Sequence, residues 1–98
     1  MPVDSRDDIW IVRRDGMIES LVGHELVGLH IDSGYIFGFN ATASRIWQLL
    51  GQPRSLSSLC AALSAEYDVH PTACESDVRR ILDDLSKNDL VNLTSRVQ

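Results

Sequence analysis

Apolar and polar positions change their period once along this chain, near residue 40, which separates strands from helices. Upstream, Ile9-Trp10-Ile11-Val12-Arg13 is rich in branched and aromatic residues and predicts a short strand. Asp15-Gly16 marks a turn, residues 17–22 form a second strand of weaker alternation, and Gly23 breaks it. Residues 24–31 alternate cleanly. Val27, Leu29 and Ile31 share one face and His24, Leu26, Gly28 and His30 the other, so an apolar set at period two predicts a half-buried strand. Asp32-Ser33-Gly34 predicts a tight turn, with the glycine free to take positive φ. So short a turn makes the flanking strands antiparallel. In the strand that follows, Tyr35, Phe37 and Phe39 are expected to face inward, and Ile36 and Gly38 outward.

From residue 40 the period is 3.6. Asn40 or Thr42 supplies the oxygen that caps a first helix, with Ala43, Ile46, Trp47 and Leu50 as its apolar stripe. Gly51-Gln52-Pro53 ends it. Ser55 caps a second helix, whose stripe is Leu56, Leu59, Cys60, Leu63 and Tyr67. After the connector Asp68-Val69-His70, Pro71 suits a helix start, and Thr72 with Glu75 has capping-box spacing. Cys74, Val78, Ile81, Leu82 and Leu85 form the third stripe. Asn88 is the expected left-handed stop, and Leu90, Val91 and Leu93 are expected to pack back on the body. Strands first and helices after predict an α+β fold: a small three-stranded antiparallel sheet followed by three helices, winged-helix-like in outline.

Ninety-eight residues make one domain, taken as 9–93, with 1–8 and 94–98 as flexible tails. No apolar run approaches the roughly 20 residues needed to span a bilayer. The first residues are polar and acidic, without the basic flank and apolar block of a signal peptide, so a cytoplasmic protein with no membrane contact is expected. A formal net charge of −5 disfavours a phosphate backbone as partner and suits a basic peptide. Cys60 and Cys74 both fall on apolar helix faces and read as reduced core residues.

Candidate chemistry is thin. His24 and His30 share a strand face about 20 Å apart, too far for one metal, and the cysteine spacing matches no zinc pattern. No cysteine stands in the exposed, electropositive setting a thiolate nucleophile requires. Gly34-Tyr35-Ile36-Phe37-Gly38 is a hairpin, not a phosphate cradle. Asp83-Asp84, with Arg79 and Arg80 four residues before them, reads as a solvated charged face. No catalytic residue, metal or cofactor is expected. The winged-helix outline raises DNA binding. The second helix, however, offers no Lys or Arg outside its stripe, and the third interleaves Arg79 and Arg80 with Glu75, Asp77, Asp83 and Asp84, which repel phosphate. What remains is a strand edge at residues 35–39, to which an extended peptide can add, with aromatics serving either as pockets or as core.

Several pieces recur in order. They are Gly34-Tyr35 with Phe39-Asn40, Ile46-Trp47 with Leu49-Leu50, Glu66-Tyr67-Asp68-Val69, Asp77-Val78 with Ile81-Leu82 and Leu85, and the closing Leu90-Val91. Over roughly residues 17–93 this order resembles the PqqD-like family, the small recognition elements that hold leader peptides of ribosomally made, post-translationally modified peptides. The variant it looks most like is the free-standing recognition protein of lasso-peptide clusters. The resemblance implies a groove between the third strand of the sheet and the third helix, with the leader lying antiparallel to that strand. Carried onto this chain, the peptide-binding residues are Tyr35, Ile36, Phe37 and Gly38 on the strand side. On the helix side they are Cys74, Asp77, Val78, Ile81, Leu82 and Leu85. Asp77 stands either to pair with a basic leader residue or to satisfy the helix N-terminus. The implied partners are the precursor leader peptide and a separate maturation protease, then a cyclase, with the carrier a monomer or weak dimer. Where the family commonly has glycine after the third helix, this chain has Asn88-Asp89. The 9–12 segment has no counterpart and reads as an extra strand or a dimer contact. Two rival readings differ in partner: a winged-helix DNA-binding regulator, and a chaperone for the radical enzyme of the PQQ pathway.

Overall fold

The structure, a computed structural model, describes residues 9–68 and 70–95. The elements are β1 (Ile9–Arg13), β2 (Met17–Val22), β3 (Glu25–His30), β4 (Ile36–Phe39), α1 (Ala41–Leu49), β5 (Arg54–Ser55), α2 (Leu56–Tyr67), α3 (Pro71–Lys87) and β6 (Val91–Ser95). They form the expected α+β arrangement of three helices against small antiparallel sheets. β2, β3 and β4 make one sheet in sequence order. The turns between them rest on left-handed Gly23 (φ 64°) and Gly34 (φ 76°). A second sheet, of order β5-β1-β6, was not legible as such. It makes the 9–12 segment a central strand, with Ile11 fully buried. β6 runs to Ser95, into the stretch expected to be a tail. Residues 1–8 and 96–98, Val69, and the side chains of Pro71 and Thr72, with their expected capping box, lie outside the described residues.

Cross-strand register sets which face of the first sheet is covered. Ile18, Leu29 and Ile36 form one row and Ser20, Val27 and Gly38 the next, both on the outer face. Glu19, Gly28 and Phe37, then Leu21, Leu26 and Phe39, form the inner rows. The set Val27, Leu29 and Ile31, the apolar face of the sequence pattern, is therefore the exposed one, and Leu26 is the buried member of β3. Phe39 decides this. It stands just before the α1 cap, and its ring meets Trp47 edge-on at 5.7 Å. The period-two rule then carries its inward direction across the sheet. Tyr35, expected inward, precedes β4 and is 68% exposed, touching Phe37 edge-on at 6.4 Å.

The helices begin and end where side chains satisfy their orphan groups. Asn40 accepts the Ala43 N–H at 2.9 Å and Ser55 the Ser58 N–H at 3.1 Å. Ile46, Trp47, Leu50, Leu59, Leu63, Val78 and Leu82 form the core these helices share, while Tyr67 stays half exposed at the end of its stripe. The left-handed stop after α3 is Asp89 (φ 59°), not Asn88. Around it Leu90 N–H reaches back to Leu85 O (2.9 Å) and Asp89 N–H to Ser86 O (3.0 Å), the paired closure that a left-handed residue at this position allows.

Ser44 is a buried polar side chain with a specific task. At the Leu26–Phe39 pair its hydroxyl accepts the Leu26 N–H (2.8 Å) and donates to the Phe39 carbonyl (3.1 Å), so one side chain of α1 bridges the end of the β3–β4 ladder. Ser44→Ala leaves both backbone groups without that partner. Urea denaturation should show a loss of about 1–3 kcal/mol. An unchanged midpoint would mean the two strands close directly on each other.

Candidate functional site

β4 is an edge strand, and its parity is fixed. His30 N–H donates to Tyr35 O at 2.9 Å, so Tyr35, Phe37 and Phe39 aim their backbone groups at β3. Ile36 and Gly38 therefore point N–H and C=O outward, where no other strand pairs with them among the described residues. An open row of donors and acceptors is a template for another chain.

Below that edge lies a cleft of about 230 Å³ between β4, the start of α1 and the end of α3. Phe37, Gly38 and Phe39 line it from the sheet, Asn40 and Ala43 from the α1 start, and Ile81, Asp84, Leu85, Asn88 and Leu90 from the α3 side. A second cleft of about 320 Å³ lies where the start of α1 and the end of α2 meet the first half of α3, against Thr42, Leu63, Tyr67, Cys74, Asp77 and Val78. Residues 74, 77, 78, 81, 84, 85 and 88 follow helical spacing, so one face of α3 serves both clefts.

Of the residues singled out in the sequence, the first cleft gathers Phe37, Gly38, Ile81 and Leu85. The second gathers Cys74, Asp77 and Val78. Leu82 is buried and turned to the other side of α3, toward Ile9, Leu56 and Leu93. Ile36 contributes backbone to the edge, while its side chain is 72% exposed on the outer sheet face. Tyr35 lines neither cleft. Sequence reasoning did not include Phe39, Asn40, Ala43, Asp84, Asn88 and Leu90 in the site. Phe39 alternates with Phe37, and Asp84 and Asn88 follow Ile81 at i+3 and i+7, so the signal was present for those three.

The charges on α3 are arranged differently from expectation. Arg79 pairs back to Glu75 (2.9 Å) and Arg80 to Asp77 (3.3 Å), so neither meets the Asp83-Asp84 doublet. Asp83 takes Lys87 at 3.0 Å, and among the described residues Asp84 has no ion pair. The Asp77 carboxylate is thus occupied by its own helix neighbour. Burial, then the charge of Asp77, raises the Cys74 thiol above its ordinary pKa. No group of three potential metal ligands converges among the described residues, and no described helix is long and apolar enough to cross a membrane. On the outer sheet face Ile18, Val22, Val27, Leu29, Ile31 and Ile36 form an exposed aliphatic patch.

Residues 25–91 match the family described as coenzyme PQQ synthesis protein D (PqqD). Two solved structures share the architecture. One is TbiB1 in complex with the TbiA(beta) leader peptide, 32% identical, with a TM-score of 0.73 over 89% of this chain and 99% of that one. The other is lasso peptide synthetase B1 complexed with the leader peptide, 26% identical, with a TM-score of 0.70 over 84% and 96%. No curated protein matches the chain.

The raised thiol gives the second cleft a chemical signature. Only the thiolate is alkylated, so at pH 8 iodoacetamide should modify Cys74 several-fold more slowly than a free cysteine, with the rate still climbing above pH 9. Mass spectrometry of quenched digests reads this, and modification at the rate of an unfolded control would contradict the burial described.

Proposed function

The chain belongs to the PqqD family, and from that premise we propose that it is a leader-peptide recognition element that carries a ribosomal precursor peptide to a separate maturation enzyme. The observation that carries this reading is the open Ile36–Gly38 backbone above a cleft walled largely by apolar side chains. A leader strand laid antiparallel along β4 takes its main-chain bonds from Ile36 and Gly38. Its alternate side chains fall toward Phe37, Phe39, Ile81 and Leu85. The protein itself does no chemistry in this scheme. Its work is to hold the leader while the rest of the precursor reaches the enzyme.

The second half of the scheme needs a surface that a large partner can meet while the cleft is filled. The outer face of the same sheet, with Val27, Leu29 and Ile36, supplies one, because it is contiguous with the β4 edge and lies opposite the cleft. The enzyme to be met is a leader protease of the lasso type, with a cyclase after it. The resemblance to lasso peptide synthetase B1 favours this pathway over the PQQ one, which would use the same groove with a radical enzyme as partner. A DNA-binding role is disfavoured by a cleft with no cation in its lining and by α3 arginines engaged with α3 carboxylates.

Calorimetric titration with synthetic leader segments should give micromolar to nanomolar dissociation constants, about −8 to −12 kcal/mol. Gly38→Pro removes one outward N–H that β3 does not use, so the fold should hold by circular dichroism while affinity falls about ten-fold or more. Undiminished binding by a folded Gly38→Pro would refute strand addition at this edge. Leu29→Lys should keep leader affinity and abolish the carrier's stimulation of precursor processing. Full stimulation by that variant would remove the outer face from the scheme.

A further inference from the structure

The α3 carboxylates are not equivalent. Glu75, Asp77 and Asp83 each hold a cation of their own helix, at 2.9, 3.3 and 3.0 Å. Among the described residues Asp84 holds none, and it is the one acidic side chain in the lining of the cleft beneath the β4 edge. Lys87, the cation nearest in sequence, is ion-paired to Asp83 at 3.0 Å and feels Asp84 only through the weaker field of that carboxylate. Asp83 itself belongs to the opposite side of α3, in a separate cleft with Ile9, Leu82 and Leu93. The α3 C-terminus adds to the negative potential at the Asp84 end of the groove, because the last carbonyls carry the negative pole of the helix. One concave surface, lined otherwise by apolar side chains and the amides of Asn40 and Asn88, thus carries a single carboxylate that has no ion pair of its own among the described residues, beside an unpaired strand edge.

We infer that Asp84 selects a lysine or arginine in the bound leader, placed on the cleft-facing side of the added strand. The proposal rests on the leader-carrier reading and deepens it by naming a charged requirement of the cargo. Strand geometry sets the spacing. Side chains that enter the cleft recur every second residue, about 7 Å apart, so the basic residue stands two positions from an apolar one seated against Phe37 and Leu85. The aliphatic stem of a lysine or arginine lies along the apolar wall while its head reaches the carboxylate, which suits such a residue to a cleft of this lining. Strand bonds accept any sequence, and the apolar cleft accepts many aliphatic residues, so a fixed charge at its rim adds discrimination that neither provides.

The test uses the full chain and a display library of random twelve-residue peptides, selected on the wild-type protein and competed with Gly38→Pro to identify binders that use the β4 edge. Enriched peptides should carry Lys or Arg two positions from an apolar residue. Fluorescence anisotropy should show their affinity falling about five-fold or more with Asp84→Lys. Asp15→Lys, which makes the same change in net charge at the β1–β2 turn and leaves the Asp83–Lys87 pair in place, should leave affinity within two-fold. A peptide with its basic residue changed to Glu should bind Asp84→Lys better than it binds wild type. Asp84→Lys places lysine in the last turns of α3, where the helix pole favours it, and circular dichroism melts check that both variants fold. Edge-dependent peptides that show no basic preference, or that lose equal affinity with Asp15→Lys and Asp84→Lys, would overturn the assignment of Asp84 and leave the carrier reading intact. Selection of no edge-dependent peptide at all would overturn both.

Discussion

Trp47 holds the two sheets and the first helix in one arrangement. Its ring is 1% exposed, lies under the Arg13 guanidinium at 4.4 Å and meets Phe39 edge-on. Its indole N–H donates to Glu19 at 2.7 Å, and its carbonyl accepts from Arg13 Nε at 3.0 Å. Arg13 belongs to β1, Glu19 to β2 and Phe39 to β4. A single residue of α1 therefore fixes the second sheet to the first through a cation–π contact and hydrogen bonds to Arg13 and Glu19, which pair with each other at 3.4 Å. Burial pulls the Arg13 pKa down from its usual value and Glu19 pushes it back up, so the carboxylate offsets part of the cost of placing a guanidinium in a half-buried site. Loss of either charge would leave the other poorly solvated, which makes the clamp cooperative rather than a sum of contacts.

The open edge of β4 depends on that clamp. A four-residue edge strand is marginal unless something outside the sheet fixes it. Phe39 is held from within by Trp47, and the Phe39 carbonyl is held by the Ser44 hydroxyl, so α1 restrains the strand's C-terminal end without covering its outer backbone. On the far side of the cleft, the Asp89 closure turns the chain back so that Leu90 enters the cleft wall and β6 pairs with β1. The width of the groove is set by these two anchors, one at each end of the chain's helical half. The aromatic rings on β4 are thus both core and groove: Phe39 is buried and still lines the cleft, which dissolves the choice between those two roles.

How much of this was legible follows from how local each signal is. Caps and stripes read correctly wherever one side chain satisfies one neighbouring backbone group, as at Asn40 and Ser55. The order of the first four strands and the three helices was legible from the change of period near residue 40, whereas β5 and β6, which follow that change, were not read as strands. The facing of β3 was not. Both of its faces carry apolar residues, and the one that turns inward is chosen by Phe39 and Trp47, thirteen and twenty-one positions beyond Leu26. The second sheet was hidden for a similar reason: β1 pairs with β6, and the two strands lie at opposite ends of the chain. The candidate groove was legible as a strand and a helix face. The particular lining was not, because which of two adjacent aspartates enters a cleft depends on a rotation of about 100° around the α3 axis that composition does not record. Asp83 and Asp84 look alike in the sequence and face different clefts in the fold.

That difference bears on what the fold can recognise. A winged-helix outline is neutral between DNA and peptide, since the same helix can present its outer side to a phosphate backbone or its inner side to an added strand. Here the outer side of α3 is internally neutralised: Arg79, Arg80 and Lys87 each face a carboxylate one turn away. Such pairs are exposed and weak as stabilisers, yet they compensate the cations that phosphate binding would require. The inner side keeps its apolar residues, and among the described residues Asp84 there has no ion pair. The charge pattern, more than the fold, therefore disfavours a phosphate backbone on the outer side of α3, and it is on this pattern that the proposed preference for an extended peptide with a basic residue rests.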